Sequence, residues 1–175
     1  MEHIATVLER SIKTIPTYYA GVRFRSRLEA SYAMALDGLG VRWSYETEGY
    51  EIEGTFYLPD IYLPKIKTFL EIKGPLVPGL EKAHKLYTHL NRDQPEGLWH
   101  SPCFMVVWGD ECGEIRNIVD NDSVVLATCG KCGGKWFLPE GGSFVCRACG
   151  FYDGPHHILE TVDRLTLGQI TLRRE

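Results

Sequence analysis

The sequence predicts a mixed α/β (α+β) domain followed by a small cysteine-bearing hairpin. Three observations point there. Segments at helical spacing and short alternating apolar segments follow one another in the order helix, meander, helix, buried strand. The stretch from Tyr57 to Gly74 sets Asp60, Glu71 and Lys73 among aromatic and branched apolar residues. Two Cys-x-x-Cys pairs then occupy residues 129–149.

Taken in order, Ile4, Val7, Leu8 and Ile12 lie at helical spacing, so residues 1–15 read as a short helix closed by Pro16. Tyr18 to Arg25 is a glycine-interrupted aromatic and basic lead-in. Ser26 opens a stronger helix reaching about Leu39, with Leu28, Tyr32, Ala35, Leu36 and Leu39 as its apolar stripe and Gly40 as its stop. Ser26-x-x-Glu29 has the form of a capping box. From Val41 to Glu53 the residues alternate as in strands, with Gly49 and Gly54 as turn points. Tyr57 to Gly74 reads as two short strands joined by a tight connection at Pro64. A second helix from about Leu80 to Leu90 buries Leu80, Ala83, Leu86, Tyr87 and Leu90 and turns Lys82 and Lys85 outward. Cys103 to Trp108 is nearly continuously apolar, as in a strand covered on both faces, which makes Cys103 a core residue. Cys112 falls in a polar loop.

In Cys129-Gly-Lys-Cys132-Gly133 and Cys146-Arg-Ala-Cys149-Gly150, thirteen residues separate Cys132 from Cys146. Within them Trp136-Phe-Leu and Ser143-Phe-Val read as hairpin strands about a turn at residues 139–142. Four thiolates so paired suit a tetrahedral, structural zinc ion, and a redox dithiol has no need of two matched pairs. A hairpin this small needs the ion to fold. His156 and His157 are surplus once four cysteines are present. The expected organisation is a core over 1–125, a zinc ribbon over 126–152 and a segment over 153–175 packing on the core.

The formal charge of −4 argues against a uniformly basic nucleic-acid binder. Its distribution says more. Acids gather between Asp37 and Asp60 and between Asp110 and Asp122, and bases between Lys13 and Arg27, between Lys65 and Lys85, and in the cysteine-flanked stretch with Lys131, Lys135 and Arg147. The first residues lack a basic flank followed by an apolar run, and no stretch approaches roughly 18 apolar residues, so a soluble, cytoplasmic protein without membrane contact is expected.

Glu71 and Lys73 are two apart, so on a strand they share a face while Leu70 and Ile72 take the other. If the two strands pair, Asp60 approaches Glu71. Two carboxylates and one amine around a small volume can hold a hard divalent cation and polarise a water. Each residue also has a plainer role open to it: Glu29 as a cap, Asp60 as a turn residue, Glu71 with Lys73 as an edge pair.

At these residues the sequence resembles the PD-(D/E)xK, or restriction-endonuclease-like, nuclease superfamily. Pro59-Asp60 matches the first half of its signature and Glu71-Ile72-Lys73 the second, with ten residues between Asp60 and Glu71. A glutamate often carried on the helix before the sheet falls here on Glu29. The run from Gly21 to Ala30, taken on through Glu71 to Gly74, looks like small nuclease-like proteins of bacteriophages and actinobacteria. The resemblance covers roughly residues 17–110, and the zinc hairpin lies outside the signature. It implies a mixed central sheet flanked by helices, and magnesium- or manganese-dependent hydrolysis of DNA phosphodiester bonds, with structure-specific or single-stranded substrates among the options. Asp60 and Glu71 would be metal ligands, joined by the backbone carbonyl of Ile72. Lys73 would orient or help deprotonate the attacking water, and Glu29 would bind a second ion or a metal-bound water.

Arg23, Arg25, Arg27, Lys82 and Lys85 are candidates for DNA phosphate contacts, or else a solvated face. Lys131, Lys135 and Arg147 beside Trp136 and Phe144 suit backbone contact and base stacking, unless those rings only cover the hairpin. A homodimer is left open. The alternative function is a non-catalytic nucleic-acid-binding or protein-interaction module on the same scaffold.

Overall fold

The computed structural model describes residues 14–74, 79–92, 103–108, 115–119, 121–139, 145–152 and 164–165, of which 103–108, 139 and 164–165 as backbone. The helix expected over residues 1–15 therefore lies almost wholly outside the described residues, as do Cys112, Phe144, His156 and His157 and the side chain of Cys103.

The lead-in before the first helix is a hairpin. β1 (Thr17–Tyr19) pairs antiparallel with β2 (Val22–Phe24) through Ala20 and Gly21, both at positive φ (49° and 78°). Two consecutive left-handed residues turn the chain tightly enough to match strand twist. α1 (Arg27–Gly38) follows, with Ser26 as its N-cap and Leu39 as its C-cap. Its buried face is wider than the expected stripe. Tyr32, Ala35 and Leu36 enter the main core, while Ala30 and Ala33 pack with Phe24 against Tyr19, Val22, Trp43 and Tyr45.

The meander divides between two sheets. β3 (Ser44–Tyr45) joins the main sheet, whereas β4 (Tyr50–Ile52) and β5 (Thr55–Tyr57) form a separate hairpin turned at Glu53 and Gly54. β6 (Ile61–Leu63) and β7 (Thr68–Lys73) pair antiparallel across the turn at Pro64, with Ile61 opposite Leu70. α2 (Glu81–Asn91) then leads to β8 (Cys103–Trp108), which runs parallel to β7, and β9 (Ile115–Asn117) closes the edge. The mixed sheet has the order β3-β6-β7-β8-β9.

Alternation along β7 separates two cores. Leu70 and Ile72 join Ile61, Leu63, Leu36 and Tyr32 on the α1 side, and Phe69 joins Tyr57, Ile52, Ala83 and Leu86 on the α2 side. Fully burying side chains of this size stabilises by roughly 1.5–3 kcal/mol each, which fixes the register of β7 against slippage. Glu71 and Lys73 are thereby committed to the face that carries Phe69 and Tyr57.

β10 (Val124–Thr128) pairs antiparallel with β11 (Lys135–Pro139) and, on its other edge, with β12 (Arg164–Leu165). Among the described residues Trp136-Phe-Leu pairs with β10, and Val145 bridges Tyr152; Ser143 and Phe144, expected to pair with Trp136-Phe-Leu, lie outside them. Burial favours the pairing with β10. Val124 to Ala127 are buried in succession and offer a five-residue ladder with both faces covered. The boundary expected at 125/126 falls inside β10. Val124, Leu126 and Phe137 belong to the main core, whereas Val125, Ala127 and Leu138 pack on Cys129 and Cys146. No helix among the described residues is long and apolar enough to cross a membrane.

Candidate active site and thiolate cluster

The four cysteines sit on two matching turns. Gly133 N–H bonds to Cys129 O, and Gly150 N–H bonds to Cys146 O, each at 2.8 Å. Both glycines have positive φ (70° and 67°), which lets the chain double back after each second cysteine. Cys129 and Cys146 are buried, and Cys132 and Cys149 are exposed. The four Sγ atoms lie within 4.8 Å of one another. An all-sulfur donor set of four at this separation can hold a zinc ion. Although burial raises the Cys146 thiol, the backbone N–H groups of Cys149 and Ala148 bring it down to about 6. Trp136 packs against both the main core and the cysteine-side core, with the Arg147 guanidinium 5.4 Å from its ring centre. Its ring thus docks the ribbon, the plainer of the two roles open to it. Its Nε1–H is buried without a partner.

The second cluster lies on the main sheet. Four polar side chains are buried among the described residues, and three of them are Glu29, Asp60 and Glu71. Asp60 immediately precedes β6, so the β6–β7 register brings it to the level of Glu71. Its Oδ2 accepts the Ile72 N–H at 2.8 Å. Its Oδ1 accepts from Arg25 Nη2 at 2.5 Å. Lys73 Nζ lies 2.7 Å from Glu71 Oε1, and the Tyr57 hydroxyl donates to Glu71 Oε2. The shared face expected for Glu71 and Lys73 is thus occupied by an ion pair.

Burial and the neighbouring Glu71 push the Asp60 carboxyl up to about 7, against the opposing Ile72 N–H and Arg25. Burial, then Glu71, raises the Tyr57 phenol well above its ordinary value, so it stays a donor. Such shifts mark crowded negative charge that a cation would relieve. The oxygen-only donor set of Asp60, Glu71 and the Ile72 carbonyl fits magnesium or manganese in kind.

Glu29 has partners of its own, although its charge also helps raise the Asp60 carboxyl. Its Oε1 accepts from the Ser26 hydroxyl at 2.8 Å, and its Oε2 accepts from Tyr45 at 2.5 Å and from the Arg25 N–H at 3.2 Å. Ser26 Oγ in turn accepts the Glu29 N–H at 3.2 Å. This is a variant capping box, in which the glutamate reaches the N–H one residue before the cap. Among the described residues, the four cysteines are the one group of three or more Cys, His, Asp or Glu side chains close enough to share an ion. Glu29 is therefore not grouped with Asp60 and Glu71 around one shared ion, which is a different arrangement from the second ion or metal-bound water expected of it.

The candidate DNA contacts scatter. Arg23 and Arg27 are exposed beside α1, Lys82 donates to the Phe56 carbonyl at 3.3 Å, and Lys85 lies 3.8 Å from Glu53. α2 thus faces the β4–β5 hairpin. Lys131 is exposed and Lys135 half-buried. Sequence reasoning missed Tyr45, Tyr57 and Glu46. Glu46 Oε1 lies 2.7 Å from Arg25 Nε, and the Glu46 N–H bonds to the Asp60 carbonyl at 2.9 Å. Nothing in the periodicity signals these contacts, because each depends on a pairing between distant segments. Compared with protein-family models, curated proteins and solved structures, the chain finds no match in any of the three.

Proposed function

We propose that the chain is a magnesium- or manganese-dependent DNA endonuclease on a restriction-endonuclease-like, PD-(D/E)xK scaffold. One observation carries the reading: β6 and β7 bring Asp60, Ile72, Glu71 and Lys73 into one buried, charged cluster in the order the resemblance requires. The mixed five-stranded sheet with α1 and α2 on opposite faces is compatible with that scaffold.

Asp60, Glu71 and the Ile72 carbonyl would hold the ion. When bound, it supplies positive charge against the phosphate oxygens and makes a bound water more acidic. The chain's own groups do the positioning. The Ile72 N–H fixes Asp60 through Oδ2, and Tyr57 fixes Glu71 through Oε2. Lys73 is held by Glu71 with its side chain 16% exposed, where an ammonium can orient the attacking water and stabilise charge growing on phosphate. The water oxygen bonds to phosphorus as its proton passes to bulk water, and the bond from phosphorus to the leaving oxygen breaks as that oxygen takes a proton from solvent. Glu29 acts at one remove, by fixing the backbone of Arg25 at the head of α1. The zinc ribbon has a structural role.

The test is cleavage of labelled branched, flapped, nicked, linear and single-stranded DNA with magnesium or manganese, by wild type beside Asp60→Ala. Cleavage by wild type alone is expected. No cleavage of any substrate, or equal cleavage by both proteins, refutes the reading. A second reading draws on the same ion pairs. Arg25 and Lys73 already neutralise Asp60 and Glu71, as suits a non-catalytic nucleic-acid-binding module. That module would bind the same DNA panel, insensitive to divalent ions, and cleave none of it.

A further inference from the structure

Arg25 ties together acids from two separate segments. Its backbone is fixed, with its N–H directed to Glu29 Oε2 at 3.2 Å and to the Tyr45 hydroxyl at 3.1 Å. Its side chain is 56% exposed, whereas that of Asp60 is 6% exposed, so the guanidinium enters the cluster from the solvent side. Nη2 meets Asp60 Oδ1 at 2.5 Å. Nε lies 2.7 Å from Glu46 Oε1, but that oxygen makes no aligned hydrogen bond. Asp60 Oδ2 is committed to the Ile72 N–H. Oδ1 is thus the oxygen through which Asp60 meets a cation, and Arg25 covers it.

We infer that Arg25 is an exchangeable cation. It covers Asp60 Oδ1, yields that oxygen to a divalent ion, and then presents its guanidinium to a phosphate of bound nucleic acid. The inference rests on the reading of Asp60 and Glu71 as cation ligands. The guanidinium's exposed side meets solvent as it leaves, and the arriving ion takes up Asp60 Oδ1, so the buried carboxylate is not left unpaired. The misaligned Glu46 contact holds the guanidinium near the rim without locking it. A planar fork released there matches the oxygens of a phosphate, and two-pronged contacts of this kind are the stronger charge-assisted bonds. A purely structural arginine would behave differently, since its loss would cost stability and leave ion affinity unimproved.

The experiment is a manganese titration of the full-length, zinc-loaded protein, read by calorimetry, for wild type, Arg25→Gln, Arg25→Lys, Arg27→Gln and Asp60→Asn. Arg25→Gln removes the competitor and should bind manganese more tightly, on the order of tenfold. Arg25→Lys, too short to span Asp60 and Glu46, should fall between it and wild type. Arg27→Gln makes the same charge change on an exposed neighbour and should shift affinity less than about twofold by screened electrostatics. With calcium present and a short DNA duplex, Arg25→Gln should also flatten the dependence of log affinity on log salt by about 0.9. Unimproved affinity in Arg25→Gln, or an equal gain in Arg27→Gln, overturns the inference, provided Asp60→Asn abolishes wild-type binding. That outcome leaves the nuclease reading standing. Absence of Asp60-dependent binding in both wild type and Arg25→Gln overturns the ligand reading and the inference together. If Arg25→Gln fails to fold, Arg25→Lys decides alone, and no gain in its manganese affinity overturns the inference.

Discussion

Asp60→Asn should stabilise the protein and abolish its cleavage, two effects of opposite sign from one substitution. In the folded chain, burial and Glu71 hold the Asp60 carboxyl at about 7, against 3.8 for the ordinary group. A raised folded value means that the native state binds more protons than the unfolded state between those limits. Stability therefore falls as pH rises from about 4 to about 7. At about 1.4 kcal/mol for each pH unit separating the folded and unfolded values, the full penalty above pH 7 is at most about 4 kcal/mol. Asparagine removes the charge and can keep its oxygen on the Ile72 N–H. Its amide nitrogen then faces Arg25, which loses the 2.5 Å contact and keeps Glu46. That loss offsets part of the gain, leaving an expected stabilisation of about 1–2 kcal/mol at pH 8. Urea unfolding at pH 4, 6 and 8, with zinc retained and no other divalent ion, measures it. The variant should lose the wild type's decline across this range. A variant less stable than wild type at pH 8, or with an unchanged slope, would refute the account of Asp60 as a carboxylate held in unfavourable surroundings.

Two further substitutions separate chemistry from scaffold. Lys73→Ala should retain DNA binding measured in calcium and lose cleavage on the order of 10²-fold in single-turnover assays, as expected of a positioned catalytic group; loss of binding to the same degree would instead make Lys73 a DNA anchor. Ser26→Ala removes the cap that accepts the Glu29 N–H and donates to Glu29 Oε1, and should cost about 1 kcal/mol in urea unfolding.

Local signals are legible where one segment carries its own reason to fold. The Ser26 cap, the α1 stripe, the face shared by Glu71 and Lys73, and the two cysteine turns all depend on spacings within a few residues. The β1–β2 hairpin escapes because its turn begins at Ala20, a residue with no turn preference, held at positive φ only by the pairing on either side. The partner of β11 escapes for a different reason. Strand alternation states which residues face a core and is silent on which strand supplies the pairing, which here comes from β10 with both its faces covered. At the charged cluster the sequence supplies the acids and the amine, but their further partners come from elsewhere. Arg25 reaches Asp60 across 35 positions, and Tyr57 reaches Glu71 across 14, distances at which only the assembled sheet decides contact. Sequence alone leaves Arg25 either a phosphate contact or part of a solvated face, whereas the folded chain sets its guanidinium on Asp60.

The strand that joins the two halves also predicts how zinc removal will be felt. Along β10, Leu126 faces the main core with Ile61, Leu63, Leu70 and Ile72, while Val125 and Ala127 face Cys129 and Cys146. One strand therefore cannot lose its packing on the cysteine side and keep its twist and position on the other unchanged. Phe137 on β11 repeats the arrangement by entering the main core, while its neighbour Leu138 enters the cysteine-side core. Zinc release and loss of sheet structure should then be one event. In a urea titration, zinc captured by a chromophoric thiol-competing chelator and the far-ultraviolet circular dichroism should share a midpoint, the mark of a single cooperative transition. Cys129→Ser should move both to lower urea together, because it removes a buried sulfur from the cysteine-side core as well as a ligand. Zinc leaving at a urea concentration well below the dichroism midpoint would show a ribbon that folds and unfolds by itself, and would refute the coupling through β10.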